Sequence, residues 1–235
     1  KGMKKATDTA YSGIIGYSNE YAVFDNVHVN NIEITIPEET TRTTIYVGGL
    51  VGYSKTSKFQ NCSVSNPKIT STAATSGIGI GGMIGRALGG IITNSFVRNI
   101  NIKVEKSIGV NGIGGLIGRA EDNAGDTSIL YTYTTGSIVN NNIYTGGIVG
   151  VNYGVVEHSY STINLSGDLG YVGGIIGFTN SSAGSHVYNL FLGNIYTPKN
   201  GTKIVPNIEV GATNFSLDGS LVNGVQSSLT YGEST

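Results

Sequence analysis

Cysteine occurs once in the 235 residues, as Cys62, so the chain has no intrachain disulfide to staple it and no thiolate cluster for a structural zinc. Charge is scarce too: Asp, Glu, Lys and Arg make up 12% of the residues and nearly cancel, leaving a formal net charge of −1. Without a basic field nothing draws in a phosphate backbone, and nucleic acid is not expected as a partner. Long apolar runs are missing as well. Each stops within five or six residues at a glycine, far short of a membrane-crossing helix, so no membrane insertion is expected. The opening residues, Lys1 to Lys5, lack the hydrophobic stretch of a signal peptide, and the last four, Gly232 to Thr235, do not resemble an anchor. The chain reads as a segment of a longer protein.

Glycine and asparagine are in excess. The 36 glycines and 23 asparagines together make 59 of 235 residues, roughly double average usage. Yet 39% of the residues are hydrophobic and regularly placed, which a flexible glycine linker would not show. The regularity is a pentapeptide that recurs six times: Ser12–Gly16 (SGIIG), Gly48–Gly52 (GGLVG), Gly81–Gly85 (GGMIG), Gly114–Gly118 (GGLIG), Gly146–Gly150 (GGIVG) and Gly173–Gly177 (GGIIG). Its second residues lie 36, 33, 33, 32 and 27 positions apart, a spacing typical of solenoids.

A second element follows each copy, at Asn26–Val29, Asn61–Val64, Asn94–Val97, Tyr131–Thr134, His158–Ser161 and Tyr188–Phe191. A third short apolar stretch comes next, as at Ile32–Ile34 and Ile100–Ile102. Three short β-rich stretches per unit, separated by Gly, Asn and Ser, predict strands joined by turns. Helix fails, because paired glycines cost a helix about 1 kcal/mol apiece and no stretch holds amphipathic spacing for three turns. The fold class expected is all-β: a right-handed parallel β-helix (β-solenoid) of about six coils over residues 1–198, with 199–235 as a small capping or connecting segment.

In such a stack like residues form columns. The third pentapeptide position gives Ile14, Leu50, Met83, Leu116, Ile148 and Ile175; the fourth gives Ile15, Val51, Ile84, Ile117, Val149 and Ile176. The residue after the pentapeptide is Tyr17, Tyr53, Arg86, Arg119, Val151 or Phe178, and adjacent arginines without a carboxylate in their column belong outside. Strand alternation then turns the fourth column outward and leaves the third as the core, so that an exposed aliphatic stripe needs a cover. A bend that turns both columns inward is the alternative. Cys62, Ser95, Thr132 and Ser159 form a small-residue column suited to a tight interior, and Asn31, Asn66, Asn99 and Gly136 one suited to left-handed turns.

The glycine-pair pentapeptide followed by an Asn-Ser-Phe-Val-like element resembles the GLUG motif, over roughly residues 11–197, with Ser12 replacing the first glycine in the opening copy. The resemblance implies a large secreted or wall-attached bacterial protein, adhesin-like or the N-terminal region of an immunoglobulin A metalloprotease. In the latter the peptidase chemistry sits in a separate zinc domain.

The residues offer little chemistry of their own. The three histidines, His28, His158 and His186, are scattered and lack a metalloprotease pattern; neither a metal site nor a cofactor is expected. Glu121–Asp126 is the one acidic cluster and reads as a solvated loop, and glycine spacings such as Gly112–Gly115 lack a phosphate-binding lysine. Asp25, Glu33, Glu105, Glu157 and Asp168 fall at unlike repeat positions. A carbohydrate-active enzyme, which needs converging carboxylates, is therefore the alternative rather than the leading reading. No catalytic residues are assigned. The expected role is scaffold, spacer or docking surface, with other domains of the parent, a host protein or a glycan as partners. Tyr17, Tyr53, Arg86, Arg119 and Phe178 are the candidate binding strip.

Overall fold

The computed structural model describes residues 9–38, 43–74, 77–106, 110–121, 127–141, 144–167, 171–179 and 186–196, together with the backbone of four short strands beyond residue 200. Among the described residues there is no helix. Short strands stack in parallel, coil upon coil, into three long sheets. Sheet A takes Thr9–Ser12, Thr44–Gly48, Gly77–Gly81, Val110–Gly114, Tyr144–Gly146 and Tyr171–Gly173. Sheet B begins after each glycine corner, with Ile15–Ser18, Val51–Gln60, Ile84–Thr93, Ile117–Glu121, Val149–Asn152 and Ile176–Thr179. Sheet C carries the second and third elements, as in Ser63–Ser65 with Lys68–Ser71, then Phe96–Val104 and Tyr133–Asn140. The expected parallel β-solenoid is what the chain forms.

Along sheet B the fourth pentapeptide residue keeps register from coil to coil. Ile15 pairs with Val51, Val51 with Ile84, Ile84 with Ile117, Ile117 with Val149, and Val149 with Ile176. The first copy departs from the pentapeptide alignment in sheet A, where Ser12 lies opposite Val47 rather than Gly48, so its corner is one residue shorter. Ile14, expected in the core, is 61% exposed there, whereas Leu50, Met83, Leu116, Ile148 and Ile175 are buried as expected.

The fourth column does not face out. Val51, Ile84, Ile117, Val149 and Ile176 are all buried in the main core, so the inward bend holds and no aliphatic stripe needs a cover. Alternation misleads here because the inward residues are three apart across the fifth glycine: Val51 and Ser54, Ile84 and Ala87, Ile117 and Ala120. Parity flips at that glycine. A Cβ on Gly85 would sit 2.8 Å from the Tyr46 carbonyl carbon and 2.5 Å from the Gly52 oxygen, so only a bare backbone fits and the strand turns about its axis.

The second corner of each coil is made by left-handed residues. Asn26, Asn61 and Asn94 hold φ between 49° and 58°, as do Tyr131, His158 and Tyr188 in the same column. That conformation costs an ordinary residue roughly 1–2 kcal/mol, and asparagine less. Asn31, Asn66 and Asn99 form a second left-handed column, but Gly136, expected to continue it, lies opposite Ile100 because the pairing shifts register after Val97, and Thr135 Oγ1 accepts from the Asn99 amide instead. The column's side-chain amides link up the stack: Asn66 Nδ2 donates to Asn31 Oδ1 at 3.0 Å, and Asn99 Nδ2 to Asn66 Oδ1 at 2.9 Å. The turn ladder read from the sequence is thus present as far as Asn99.

Cys62, Ser95, Thr132 and Ser159 are buried, and the column continues to Asn189. Side chains here satisfy the backbone of the coil before. Ser95 Oγ accepts from the Cys62 amide at 3.0 Å, Ser159 Oγ from the Thr132 amide at 3.1 Å, and Asn189 Oδ1 from the Ser159 amide at 3.1 Å. Most of the segment 199–235, expected to cap or connect, lies outside the described residues. Its strands Lys203–Val205, Phe215–Ser216 and Leu221–Val222 pair in parallel with the coil before, and Leu221–Val222 pairs antiparallel with Val225–Gln226.

The second glycine of the pentapeptide points at the core. A Cβ on Gly82 would lie 2.8 Å from Val97 Cγ1 and 3.2 Å from Ile100 Cδ1. Gly82→Ala is expected to lower unfolding free energy by about 1–3 kcal/mol through overpacking, measured by urea denaturation. Gly77→Ala meets only the Thr44 side chain, at 3.1 Å and beyond, and should change little.

Candidate functional site

Sheets A and B approach closely at the glycine corner, backbone to backbone, and their outward residues meet beside it. Tyr17, Tyr53, Arg86, Arg119, Val151 and Phe178 stand in one in-register row of sheet B. Opposite runs a row of sheet A that the sequence reading did not use: Tyr11, Tyr46, Gly79, Gly112, Tyr144 and Tyr171. From Tyr46 onward it is legible as the position two before the first glycine of each copy.

The two rows complement each other in size. Where sheet A carries tyrosine, rings meet: Tyr17 and Tyr53 stack at 5.1 Å between centroids, and Tyr11 lies 5.3 Å from Tyr53. Where sheet A carries glycine, sheet B supplies arginine. The Arg86 guanidinium sits 5.2 Å from the ring centroids of both Tyr46 and Tyr53, a double cation–π contact. A Cβ on Gly112 would lie 3.0 Å from Arg119 Cγ and 3.1 Å from Val151 Cγ2, so the Arg119 stem and Val151 cover that glycine. Phe178 belongs to a separate aromatic group, 4.7 Å from Tyr144 and edge-on to Tyr171 and Tyr153, both at 6.5 Å. The five candidate residues therefore share one row but fall into two clusters separated by buried Val151.

Glu121 was missed by reasoning from the column alone. It lies two residues beyond Arg119, on the same outward face, and takes ion pairs from both arginines; the Arg119 Nε–Glu121 Oε1 distance is 2.8 Å and the other contact is to Arg86 Nη2. All three side chains are mostly covered, between 16% and 22% exposed. Burial works against the Arg86 charge, but Glu121 and Tyr46 outweigh it and its pKa rises. Burial, countered by Arg86, pushes the phenols of Tyr46 and Tyr53 up. The remainder of the acidic cluster, 122–126, lies outside the described residues.

Elsewhere four glutamates meet lysines. Glu33 meets Lys68 at 2.6 Å, Glu38 meets Lys106 at 2.6 Å, Glu105 meets Lys103 at 2.7 Å, and Glu20 pairs with Lys55. Asp25 accepts from Asn61. Among the described residues no three His, Cys, Asp or Glu side chains group as metal ligands would. Cys62 is buried, and burial raises its thiol pKa.

The geometry defines a parallel β-solenoid with glycine corners and an aromatic–arginine strip along one edge. The family model of the GLUG motif matches residues 43–70, from just before the sheet A strand through the corner and sheet B into sheet C. The chain carries the GLUG motif there, and the coils that follow repeat the same geometry in register. Comparison with curated proteins and with solved structures gives no match.

Two measurements check this account of the strip. Glu121→Gln leaves two largely covered guanidinium groups without their counter-charge and is expected to cost about 1–3 kcal/mol in urea denaturation. Because Tyr46 and Tyr53 ionise less readily folded than unfolded, the stability they contribute is intact below the ordinary tyrosine range. It drains away as pH climbs through and past about 10. Thermal melts between pH 8 and 11 should show that fall, and a shallower one in Tyr53→Phe.

Proposed function

We propose that this chain is a non-catalytic β-solenoid segment of a large secreted or cell-wall-attached bacterial protein. It acts as a spacer or scaffold for the parent's other domains, and its aromatic–arginine strip serves as a docking surface for a neighbouring domain, a host protein or a glycan. The observation that carries the reading is that like coils stack in register, while among the described residues Glu20, Glu33, Glu38, Glu105 and Glu121 pair with Lys or Arg and Asp25 accepts from Asn61. Catalysis on a β-helix needs a pair of carboxylates opposed across an open cleft. Adhesin and protease-accessory roles are both forms of this reading, supported by the GLUG motif at 43–70.

A spacer made of like units tolerates the loss of one. Deleting residues 82–114, one repeat between equivalent glycines, is expected to leave a cooperatively unfolding β-protein shortened by one rung of about 4.8 Å, read by circular dichroism and small-angle scattering. Failure of the deletion to fold would count against modular spacing. Tyr17→Ala combined with Tyr53→Ala should weaken binding to a domain of the parent or to a host protein or glycan. Unchanged affinity across such partners would remove the docking half, and polysaccharide turnover by the intact chain would favour the enzyme.

A further inference from the structure

The first coil is open on one side. Its strands Thr9–Ser12, Ile15–Ser18, Val23–Asp25, His28–Asn30 and Glu33–Ile36 pair, among the described residues, only with the second coil. The interior is open there as well. Phe24, Val29 and Ile34 stand in register with Phe59, Val64 and Ile69 of the next coil and pack against the same core. The later three are fully buried, whereas the first three are only half-buried. An unpaired sheet edge over uncovered core is a template for further pairing. The far end of the stack differs, since Leu221–Val222 turns back antiparallel on Val225–Gln226.

Polarity, charge and length select the occupant. In the asparagine ladder each side-chain amide donates to the coil before it, Asn99 to Asn66 and Asn66 to Asn31, and Asn31 Nδ2, last in the line, donates to no described residue. A parallel coil ahead supplies the next acceptor. Residues 9–38 carry Glu20, Asp25, Glu33 and Glu38 with no Lys or Arg, and the second coil meets two of these with Lys55 and Lys68. Two such ends set face to face would bring like charges together, which disfavours a second copy docked end to end. The eight residues ahead of Thr9 reach about 26 Å when fully extended. A coil here takes 27 to 36 residues to line three sheets. We infer that this end of the rod is an interface for one further coil of the same repeat, running parallel to the first and carrying basic side chains opposite Glu20 and Glu33. The inference is independent of what the aromatic–arginine strip docks.

The test extends the whole chain by a coil. Residues 44–76 make one complete turn, since Thr44 lies opposite both Thr9 and Gly77, and a copy of them is set directly ahead of Thr9 in place of residues 1–8. The copy brings a second lysine opposite Glu33 and a second asparagine opposite Asn31. With one coil added to about six, the urea m-value should rise by about a sixth and the midpoint should rise with it. Amides of residues 9–36 should exchange with deuterium about tenfold more slowly. A copy of residues 77–109 instead sets Asn101 opposite Glu33 and Leu88 in the place of Lys55, and should slow exchange with a smaller gain in midpoint. Deleting residues 1–8 alone should leave exchange in the first coil unchanged. The inference is overturned if neither added coil slows that exchange, failure of both to fold included, or if both raise the midpoint equally. It is overturned too if deleting residues 1–8 speeds exchange, which makes them the cover. Dimerisation of the parent chain in sedimentation, with residues 9–36 protected, would make a second copy the occupant and overturn it as well.

Discussion

The whole architecture depends on the close approach of backbone to backbone at the glycine corner. A parallel stack repeats every rung at about 4.8 Å, so whatever a corner position carries is set against copies of itself. At Gly49, Gly82, Gly115 and Gly147 even a Cβ would collide with the carbonyl of the next coil, and at Gly82 with Val97 as well. Keeping these positions bare lets the third and fourth aliphatics of each pentapeptide turn inward together, giving every middle coil two buried corner residues rather than one. For a chain with one cysteine and little charge, that doubling of apolar burial per corner is the main source of cohesion.

The outer strip follows from the same constraint. Since sheets A and B are brought together by bare backbone, their outward side chains share one space, and that space is filled by alternation between partners. Tyr46 faces Tyr53 and covers Gly79, Arg86 lies over both rings, Gly112 admits Arg119, and Tyr144 meets Phe178. Two arginines next to each other in a parallel row would repel, and the row tolerates them because Glu121 bridges both from two residues further on. Covered as they are, these groups have a structural task as well as an exposed edge, and a partner would meet the tyrosine hydroxyls and ring edges before the guanidinium groups.

How much of this was legible in the sequence depends on the distance over which strand alternation can be trusted. Periodic features came through: the repeat, the parallel stacking, the buried small column at Cys62, Ser95, Thr132 and Ser159, and the left-handed asparagines. The fourth column was placed on the wrong side because a period of two was carried across Gly52 and its equivalents, where parity flips. Tyr46 and its row went unread since the columns were counted forward from the first glycine, and the row lies two residues behind it. Glu121 was out of reach of a column argument because the charge balance is diagonal between rungs, not along one row.

Ile14 shows the cost of leaving the repeat. Ser12 lies opposite Val47, the first corner has one residue fewer than the others, and the third-position side chain that is buried in every later coil is exposed there as Ile14. The short corner still delivers Ile15 opposite Val51 and Tyr17 opposite Tyr53, so sheet B regains register immediately. Sheet B behaves likewise in the fourth coil, where Leu88 pairs with Glu121 and pairing resumes two residues on at Gly90, opposite Thr127. Stacking thus resumes after a deletion at one corner and an insertion in one strand. Register is restored locally by the next run of paired backbone rather than imposed by a uniform repeat length, which is why spacings from 36 down to 27 residues build one continuous rod.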